Sequence, residues 1–215
     1  MKKTLLATAL MAASFSAISA PYIGVEYGIG STSHNYQQHF ISPSIKLDPS
    51  LDDGVLSGFI GYSLTPSWAV EFGYSQFDLN DDRSQYTGAG SDATGNYTTE
   101  NEWNASIKAK QFSLAPVYTH VLNEKWLSKV KMGITYTQYD ITNSTGWEKE
   151  YHREDIEISG TNDSHSSSSN KLGGFISIGA EYKVIPQLTI GANAKYQIDS
   201  FANTASVNLG STYYF

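Results

Sequence analysis

Residues 188–198 read LTIGANAKYQI, and every second side chain in this stretch is apolar. The apolar set runs from Leu188 to Ile198, and the small or polar set between them runs from Thr189 to Gln197. A repeat of two residues is that of a β-strand, whose successive side chains point to opposite faces of a sheet. The stretch therefore predicts a strand with one apolar face and one face of small and polar residues.

The same alternation recurs in seven other segments, which gives eight predicted strands. They are Tyr22–Ser31, Leu56–Leu64, Ala69–Ser75, Gln111–Thr119, Lys129–Tyr136, Ile176–Val184 and Val207–Phe215. The chain of 215 residues also contains 18 glycines, 15 tyrosines and 16% charged residues, a composition rich in strand formers. An all-β protein is the expected fold class, and a helix bundle is excluded.

Short and long connections alternate along the predicted strands. The tight turns are Thr65–Ser67, Asn123–Lys125 and Ile185–Gln187, and the long polar stretches are Thr32–Asp53, Asp78–Trp103 and Asp140–Asn170, with a shorter one at Ser200–Ala205. This arrangement is typical of a transmembrane β-barrel, with the short turns on one side of the membrane. Because a proline cannot donate to a sheet ladder, we expect a bulge at Pro116.

A soluble sandwich or a lipocalin-like barrel would also alternate, with its apolar face turned inward. The opposite face, however, consists mostly of Gly, Ser, Ala and Thr, which suit a narrow lumen better than a solvated exterior. Tyrosines such as Tyr27, Tyr62 and Tyr182 fall on the apolar face, several near strand ends, as aromatic girdles at a membrane interface require. These features favour the membrane barrel.

The first residues predict a secretory signal peptide. Met1-Lys2-Lys3 is basic, and the apolar run Leu5–Ile18 is shorter than the roughly 20 residues of a spanning helix. Small residues at Ala17 and Ser19 favour cleavage before Ala20, so that residues 1–19 are removed, and cleavage after Ala20 is the alternative. The barrel domain is then predicted to cover residues 20–215.

Two stretches resemble the OmpA/OmpX-type eight-stranded outer-membrane barrels. They are Val70–Tyr74, VEFGY, and Gly179–Leu188, GAEYKVIPQL, followed by Lys195–Gln197. The resemblance implies a closed antiparallel barrel in the outer membrane of a Gram-negative bacterium, with short periplasmic turns and long extracellular loops. Because the sequence stops at the last predicted strand, we expect no peptidoglycan-binding domain like that of full-length OmpA. Some small barrels of this kind are colonisation factors or adhesins.

The odd or even position of a residue along its strand, which we call its parity, decides the face to which its side chain points. Parity places six charged side chains in the lumen, namely Glu26, Glu71, Lys129, Lys131, Glu181 and Lys195. In the resembling family, the glutamates of the third and sixth strands join an ion-pair network, and Glu71 and Glu181 occupy those places. The seventh strand of that family carries an arginine that points into the lumen. This sequence has Asn193 at that place and Lys195 two residues further on. We expect these charges to pair as a structural plug, since buried charges must be compensated; a gated ion path is the alternative.

The composition excludes several other functions. No cysteine is present, and the formal net charge of −7 argues against nucleic acid. We expect no enzyme, no cofactor and no metal site. The five histidines (His34, His39, His120, His152 and His165) lack a recognisable nucleophile and carboxylate. A calcium-loop resemblance at Asp78–Asp82 fails because Arg83 and Ala89 stand where glycine and glutamate are required.

The functional information is therefore expected in the extracellular loops. Residues 78–103 and 140–170 each carry a net charge of −5. Their aromatic residues Tyr86, Tyr97, Trp103, Trp147 and Tyr151 are candidate contacts for a protein or a glycan. Alternation within Glu148–Ile158 further predicts that the two flanking strands continue beyond the membrane as a ribbon with a free sheet edge.

Three functions remain open. A monomeric surface protein for adhesion, colonisation or host-factor binding, acting on host surface or matrix molecules, is the first. A structural or weakly ion-conducting barrel, or merely a hydrophilic shield, is the second, and a lipid-modifying enzyme is the third. Outer-membrane lipid and lipopolysaccharide are the expected surroundings. Tyr213 and Phe215 on the last strand resemble the signal that the barrel assembly machinery reads.

Overall fold

The structure, a computed structural model, describes residues 20–34, 36–40, 44–152 and 156–215. The predicted signal peptide, residues 1–19, lies outside the described residues. The strands are β1 (Pro21–His34), β2 (Gln38–Phe40), β3 (Ile45–Leu47), β4 (Ser50–Ser63), β5 (Trp68–Ser91), β6 (Asn96–Val121), β7 (Trp126–Tyr151), β8 (Ile156–Ile185), β9 (Leu188–Asp199) and β10 (Ala202–Tyr214). No helix in these ranges is long and apolar enough to cross a membrane.

Eight of these strands close into an antiparallel barrel in the order β1-β10-β9-β8-β7-β6-β5-β4. Closure is made between the first and last strands, where Tyr22 lies opposite Tyr214 and Gly28 lies opposite Asn208. Because every wall strand has a neighbour on both sides, backbone groups in the wall are satisfied by the ladder, as a lipid environment requires. The predicted closed eight-stranded all-β barrel is confirmed.

The short turns join strands at one end of the barrel, which we call the short-turn end. Two of them are held by a side chain that caps the turn. The Thr65 hydroxyl accepts from the backbone N–H of Trp68 at 3.0 Å, and the Asn123 amide oxygen accepts from Lys125 at 2.9 Å and Trp126 at 3.0 Å. Both termini of the described barrel lie at this end, where the Phe215 N–H donates to the Pro21 carbonyl at 3.2 Å.

The two faces of the wall carry the side chains that the alternation predicts. Ile23, Val25 and Ile178 are exposed on the outer face, whereas Glu71 and Gln111 are buried in the lumen. A soluble protein does not expose a continuous apolar band of this kind, because the band would drive association in water. The outer face therefore suits lipid.

Strands β5–β8 continue well beyond the rest of the barrel. Pairing of β5 to β4 ends at Asn80, and pairing of β8 to β9 ends at Gly173, but β5–β8 remain paired with one another out to their far ends. We call residues 81–91, 96–105, 143–151 and 156–165 the extension. The long stretches at 78–103 and 140–170, which the sequence predicted as loops, are thus mostly strand, and continuation was predicted only for the later pair.

The expected long loop at Thr32–Asp53 contains the short hairpin of β2 and β3. Ile45 and Leu47 of β3 are buried against Trp103 and Ala105 of the extension, with Phe40 of β2 alongside. The hairpin therefore folds over the part of the extension's inner face that contains Trp103 and Ala105, and this face is continuous with the lumen. The predicted stretch Ser200–Ala205 shortens to residues 200–201 between β9 and β10.

The bulge expected at Pro116 is not observed. The ladder from β6 to β7 omits Ala115 and Pro116, but Leu114 opposite Ile134 and Val117 opposite Lys131 keep one register. The N–H group that Pro116 lacks therefore interrupts the pairing with β7 at Ala115 and Pro116 without shifting the register. Among the register shifts in the described ladders, one lies in β4 between Leu51 and Val55, where Gly54 has a φ of +79°. Glycine reaches that conformation without a steric penalty.

Candidate functional site

The lumen near the short-turn end contains a first charged group built around Lys131. Its ammonium lies 2.7 Å from a Glu71 carboxylate oxygen and 3.4 Å from Glu26, and it stands 4.3 Å from the centroid of the Phe59 ring. The Tyr22 hydroxyl donates to Glu71 at 3.0 Å. The Lys131 ammonium of β7 thus pairs with two carboxylates, that of Glu26 on β1 and that of Glu71 on β5. The ion pairing predicted from parity is present for these three residues.

A second group is built around Glu181. The Lys129 ammonium lies 2.7 Å from one carboxylate oxygen, and the Thr189 hydroxyl donates to the other at 2.7 Å. Thr212 and Tyr214 donate at 3.3 and 3.4 Å. The carboxylate therefore receives partners from β7, β9 and β10, so that its lone pairs are occupied where water is scarce.

Lys195 does not join these pairs. Among the described residues, no carboxylate lies within the 4.0 Å that defines an ion pair, and the ammonium instead stands 4.9 Å from the centroid of the Phe175 ring. The prediction of an ion-paired Lys195 is therefore wrong at the level of direct contact. Asn193, which replaces the arginine of the resembling family, accepts from Ser177 at 3.1 Å and from Asn208 at 2.8 Å. Neutral hydrogen bonds among Asn193, Ser177 and Asn208 thus occupy the place of the arginine in the OmpA/OmpX-type barrels.

Above these groups the lumen is filled by an apolar cluster that we call the plug. It consists of Val55, Phe77, Leu79, Ile107, Ala109, Tyr139, Ile141 and Ala202, with Tyr36, Leu51 and Phe201 packed against it. The rings of Tyr139 and Phe201 stack with centroids 4.3 Å apart, and the Tyr139 hydroxyl donates to Asp199 at 2.7 Å. The plug therefore occupies this part of the lumen mainly with apolar side chains.

The plug was not foreseen, yet the sequence carries a signal for it. On β5, Phe77 and Leu79 have the same parity as Glu71, which faces the lumen. On β7, Tyr139 and Ile141 have the same parity as Lys131, which also faces the lumen. The two-residue alternation thus continues along each strand, but the apolar side chains point outward in the wall and inward in the plug. Reading each strand as one apolar face and one small face concealed this change.

The five aromatic residues proposed as contacts do not share one environment. Tyr86 and Trp147 are exposed by 59% and 38%, and Tyr97 is partly buried. Trp103 and Tyr151 are exposed by only 4% and 5%. The expectation that all five side chains lie open to a partner is wrong for these two, because Trp103 packs under the β2–β3 hairpin and Tyr151 is held by the tip of the extension.

The tip is held together by Lys149. Its ammonium lies 2.6 Å from Asp92 in the turn between β5 and β6, and 3.6 Å from the centroid of the Tyr97 ring. The Tyr151 hydroxyl donates to the same Asp92 at 2.6 Å. The Lys149 hydrogen bond, and after it that of Tyr151, holds the pKa of Asp92 well below its usual range, and Asp92 raises the pKa of Lys149.

The outer face of the extension is acidic. Glu100 and Glu102 share the parity of Phe112 and Leu114, and Glu100 lies directly opposite Glu148 on β7, next to Glu150. A hydrogen bond with Glu102, together with the charges of Glu102, Glu100 and Glu150, raises the pKa of Glu148. Within the described ranges, no three ligand side chains come close enough to hold a metal ion. This face can attract cationic groups.

Tyr213 and Phe215 lie on the outer face at the short-turn end. Their rings meet edge to face with centroids 5.2 Å apart, and Phe215 is exposed. This position agrees with a residue at the membrane interface. Their role as a signal for the assembly machinery stays a prediction.

Comparison with known proteins returns one kind of architecture. The family model described as outer membrane protein beta-barrel domain matches residues 4–215. No curated protein sequence matches the chain.

Three solved structures illustrate the likeness. The attachment invasion locus protein Ail of Yersinia pestis, solved with the heparin analogue sucrose octasulfate, is 15% identical with a TM-score of 0.49, over 92% of this chain and 97% of that one. Neisserial surface protein A is 10% identical with a TM-score of 0.48, over 91% and 97%. The N-terminal barrel of Pseudomonas aeruginosa OprF is 13% identical with a TM-score of 0.48, over 90% and 97%.

Proposed function

The chain belongs to the outer membrane protein beta-barrel domain family, and on that premise we propose that it is a surface interaction protein acting through its extension. The barrel resides in the bacterial outer membrane, where its outer face contacts lipid. We propose that residues 1–19 direct export, that the short-turn end is periplasmic and that the extension is extracellular. Adhesion, colonisation or binding of a host surface or matrix protein is the function this arrangement serves.

One observation carries the proposal: the extension leaves a long sheet edge without a neighbour. β8 is paired to β9 only from Gly173 onward, so residues 156–172 have a strand on one side only in the described structure. Unpaired N–H and C=O groups along an edge can bind an added strand of a partner protein. A strand edge that long would be a liability to a protein with no use for it.

Charge supports a cationic protein partner. The stretches 78–103 and 140–170 each carry a net charge of −5, and the acidic outer face of the extension contains Glu100, Glu102, Glu148 and Glu150. Complementary charge accelerates encounter and selects a partner of the opposite sign. Exposed Tyr86 and Trp147 supply the aromatic contact area that adaptable binding surfaces use.

The register of the extension gives a sharp truncation test. Asn143 lies directly opposite His165, so deleting residues 144–164 and joining the two by a short turn shortens β7 and β8 without shifting their pairing. Bacteria displaying this variant should lose binding to host cells and matrix proteins. The matched control is the full-length chain with Ser167→Gly, which leaves strand length and charge unchanged.

The barrel itself must be shown intact in both variants. Unchanged heat-modifiable mobility on gels and an unchanged amount in the outer-membrane fraction, measured by immunoblot, provide that check. Equal binding by the truncated and full-length proteins would contradict the proposal. Loss of binding in 0.5 M salt alone would assign the interaction to charge rather than to strand addition.

A structural role is the second candidate, and the plug is the observation that favours it. An apolar cluster across the lumen opposes ion flow, so we expect no measurable single-channel conductance in planar bilayers. Steady conductance that disappears in Lys131→Met would instead support the weakly conducting alternative. Catalysis has no place in the proposal.

A further inference from the structure

The outer face of the barrel is not uniformly convex, and a groove crosses it near the short-turn end. The groove has a cavity volume of about 440 Å³ and is lined by Trp126, Ala180, Tyr182, Ile190, Ala192 and Leu209. Its floor is formed where Ala180 lies directly opposite Ala192 on neighbouring strands. Two small side chains between large ones leave a depression in the outer surface.

One end of this groove carries a cation. The Lys125 ammonium lies 5.9 Å from the centroid of the Tyr182 ring, and Tyr182 meets Trp126 edge to face with centroids 5.2 Å apart. Trp and Tyr mark the depth of the lipid headgroups, and lysines at that depth attract anionic lipid. The other two short turns, residues 64–67 and 186–187, contain no charged residue.

We propose that this groove and Lys125 form a site for one anionic phospholipid of the periplasmic leaflet, such as phosphatidylglycerol. An acyl chain lies over Ala180 and Ala192, and the headgroup phosphate meets the Lys125 ammonium. The combination of an apolar groove and a cation at its end matches a molecule that is apolar over most of its length and anionic at one end. This assignment rests on the orientation proposed above, in which the short-turn end faces the periplasm and therefore does not contact lipopolysaccharide.

The barrel offers a matched control on the same rim, two strands away from Trp126. Trp68 on β5 packs against Tyr118 with centroids 5.1 Å apart, much as Trp126 packs against Tyr182. Its turn carries no lysine, and the cavity of about 290 Å³ beside Trp68 is lined by the lumen residues Tyr22, Lys129 and Tyr214 rather than by outward-facing alanines. A tryptophan at each position can therefore report lipid contact at the same depth with and without the proposed site.

The test uses two single-tryptophan proteins refolded into phosphatidylcholine vesicles. One keeps Trp126 and the other keeps Trp68, with the remaining tryptophans replaced by phenylalanine. Brominated phosphatidylglycerol is compared with brominated phosphatidylcholine as a quencher at equal mole fraction. We expect Trp126 to show about a fivefold preference for the anionic lipid, the effect of one lysine near a membrane surface, and Trp68 to show none.

Two further variants separate the groove from the charge. Lys125→Gln should abolish the preference at Trp126, and Glu124→Gln, which removes the neighbouring negative charge, should increase it. Ala192→Leu should fill the groove and reduce quenching by both lipids, whereas Ala205→Leu on the extracellular half should not. Equal preference at Trp126 and Trp68, or a preference unchanged by both Lys125→Gln and Ala192→Leu, would overturn the site.

Discussion

Strands β5–β8 pass through two environments, the barrel wall and the extension, and the two parts place opposite chemistry on the same face. On β6, Phe112 and Leu114 turn outward in the wall, and Glu100 and Glu102 turn outward in the extension. Inward, the wall has Gln111 and the extension has Trp103. The period of two is unbroken.

The difference shows that alternation specifies the strand, and the surroundings specify which face is apolar. In the wall, lipid covers the outer face and small or charged groups fill a narrow lumen. In the extension, water covers the outer face, so the apolar side chains gather on the inner face under the β2–β3 hairpin. The plug lies at the change between the two, where inward side chains are already apolar but the barrel is still closed.

The largest expected effect contrasts a buried ion pair of the wall with an exposed one of the extension. Lys131→Met leaves Glu26 and Glu71 without their cation in the lumen, so it should lower the free energy of unfolding by about 3–5 kcal/mol. Lys149→Met should leave global unfolding unchanged, because its pair with Asp92 is near solvent. Urea unfolding in vesicles measures both, and equal effects would contradict the distinction.

The second-largest effect is expected from arginine on the outer face of β8, placed either within the apolar band or beyond it. Ile178→Arg places a cation against lipid near the middle of the wall and should cost about 2–4 kcal/mol. Ser168→Arg has the same parity but lies beyond the apolar band, so the change should stay within about 0.5 kcal/mol. Similar costs at both sites would mean that the band is misplaced.

Much of this architecture follows from the sequence. The strands of the wall, their faces and the tight turns follow from the alternation and from residues such as Asn123. Glu71 and Glu181 follow from the resemblance together with parity. The β5–β6 half of the extension and the plug were missed because their apolar residues have the opposite parity, and a long polar stretch was taken for a loop.

Other details depend on distances that no sequence pattern contains. Lys195 has the parity of a lumen residue, but its ammonium meets the Phe175 ring rather than a carboxylate. Trp103 looks like an exposed loop aromatic until the β2–β3 hairpin, whose strands are three residues each, is known to cover it. Long-range packing of short elements is set by the folded chain as a whole.

A smaller, local effect is expected where the hairpin covers the extension. Trp103→Ala removes the largest side chain beneath Ile45 and Leu47, so the hairpin should open while the barrel stays closed. Hydrogen exchange of β2 and β3 should rise at least tenfold, with exchange in β9 and β10 unchanged. Protection of the hairpin in the variant would show that the packing contributes little.

The smallest effect concerns pH. The pKa of Glu148 is raised by Glu102 and the neighbouring carboxylates, so the folded extension binds the proton more tightly than the unfolded chain. The contribution of Glu148 to the stability of the extension is therefore complete below its unfolded pKa and is lost as pH rises through its folded pKa. Protection factors of residues 144–151, corrected for the intrinsic exchange rate at pH 5 and at pH 7, should show this loss, and Glu148→Gln should remove most of it. A pH dependence retained in full would assign the effect to other groups.

The inversion of faces at the membrane boundary is tested most directly by cysteine accessibility, since the chain has no cysteine of its own. Single cysteines at Leu114, Lys108 and Glu102 sample the outer face of β6 at increasing height. On intact bacteria, a membrane-impermeant maleimide should label Lys108→Cys and Glu102→Cys and leave Leu114→Cys unreacted until the membrane is dissolved. Labelling of Leu114→Cys on intact cells, or protection of Glu102→Cys, would contradict the account.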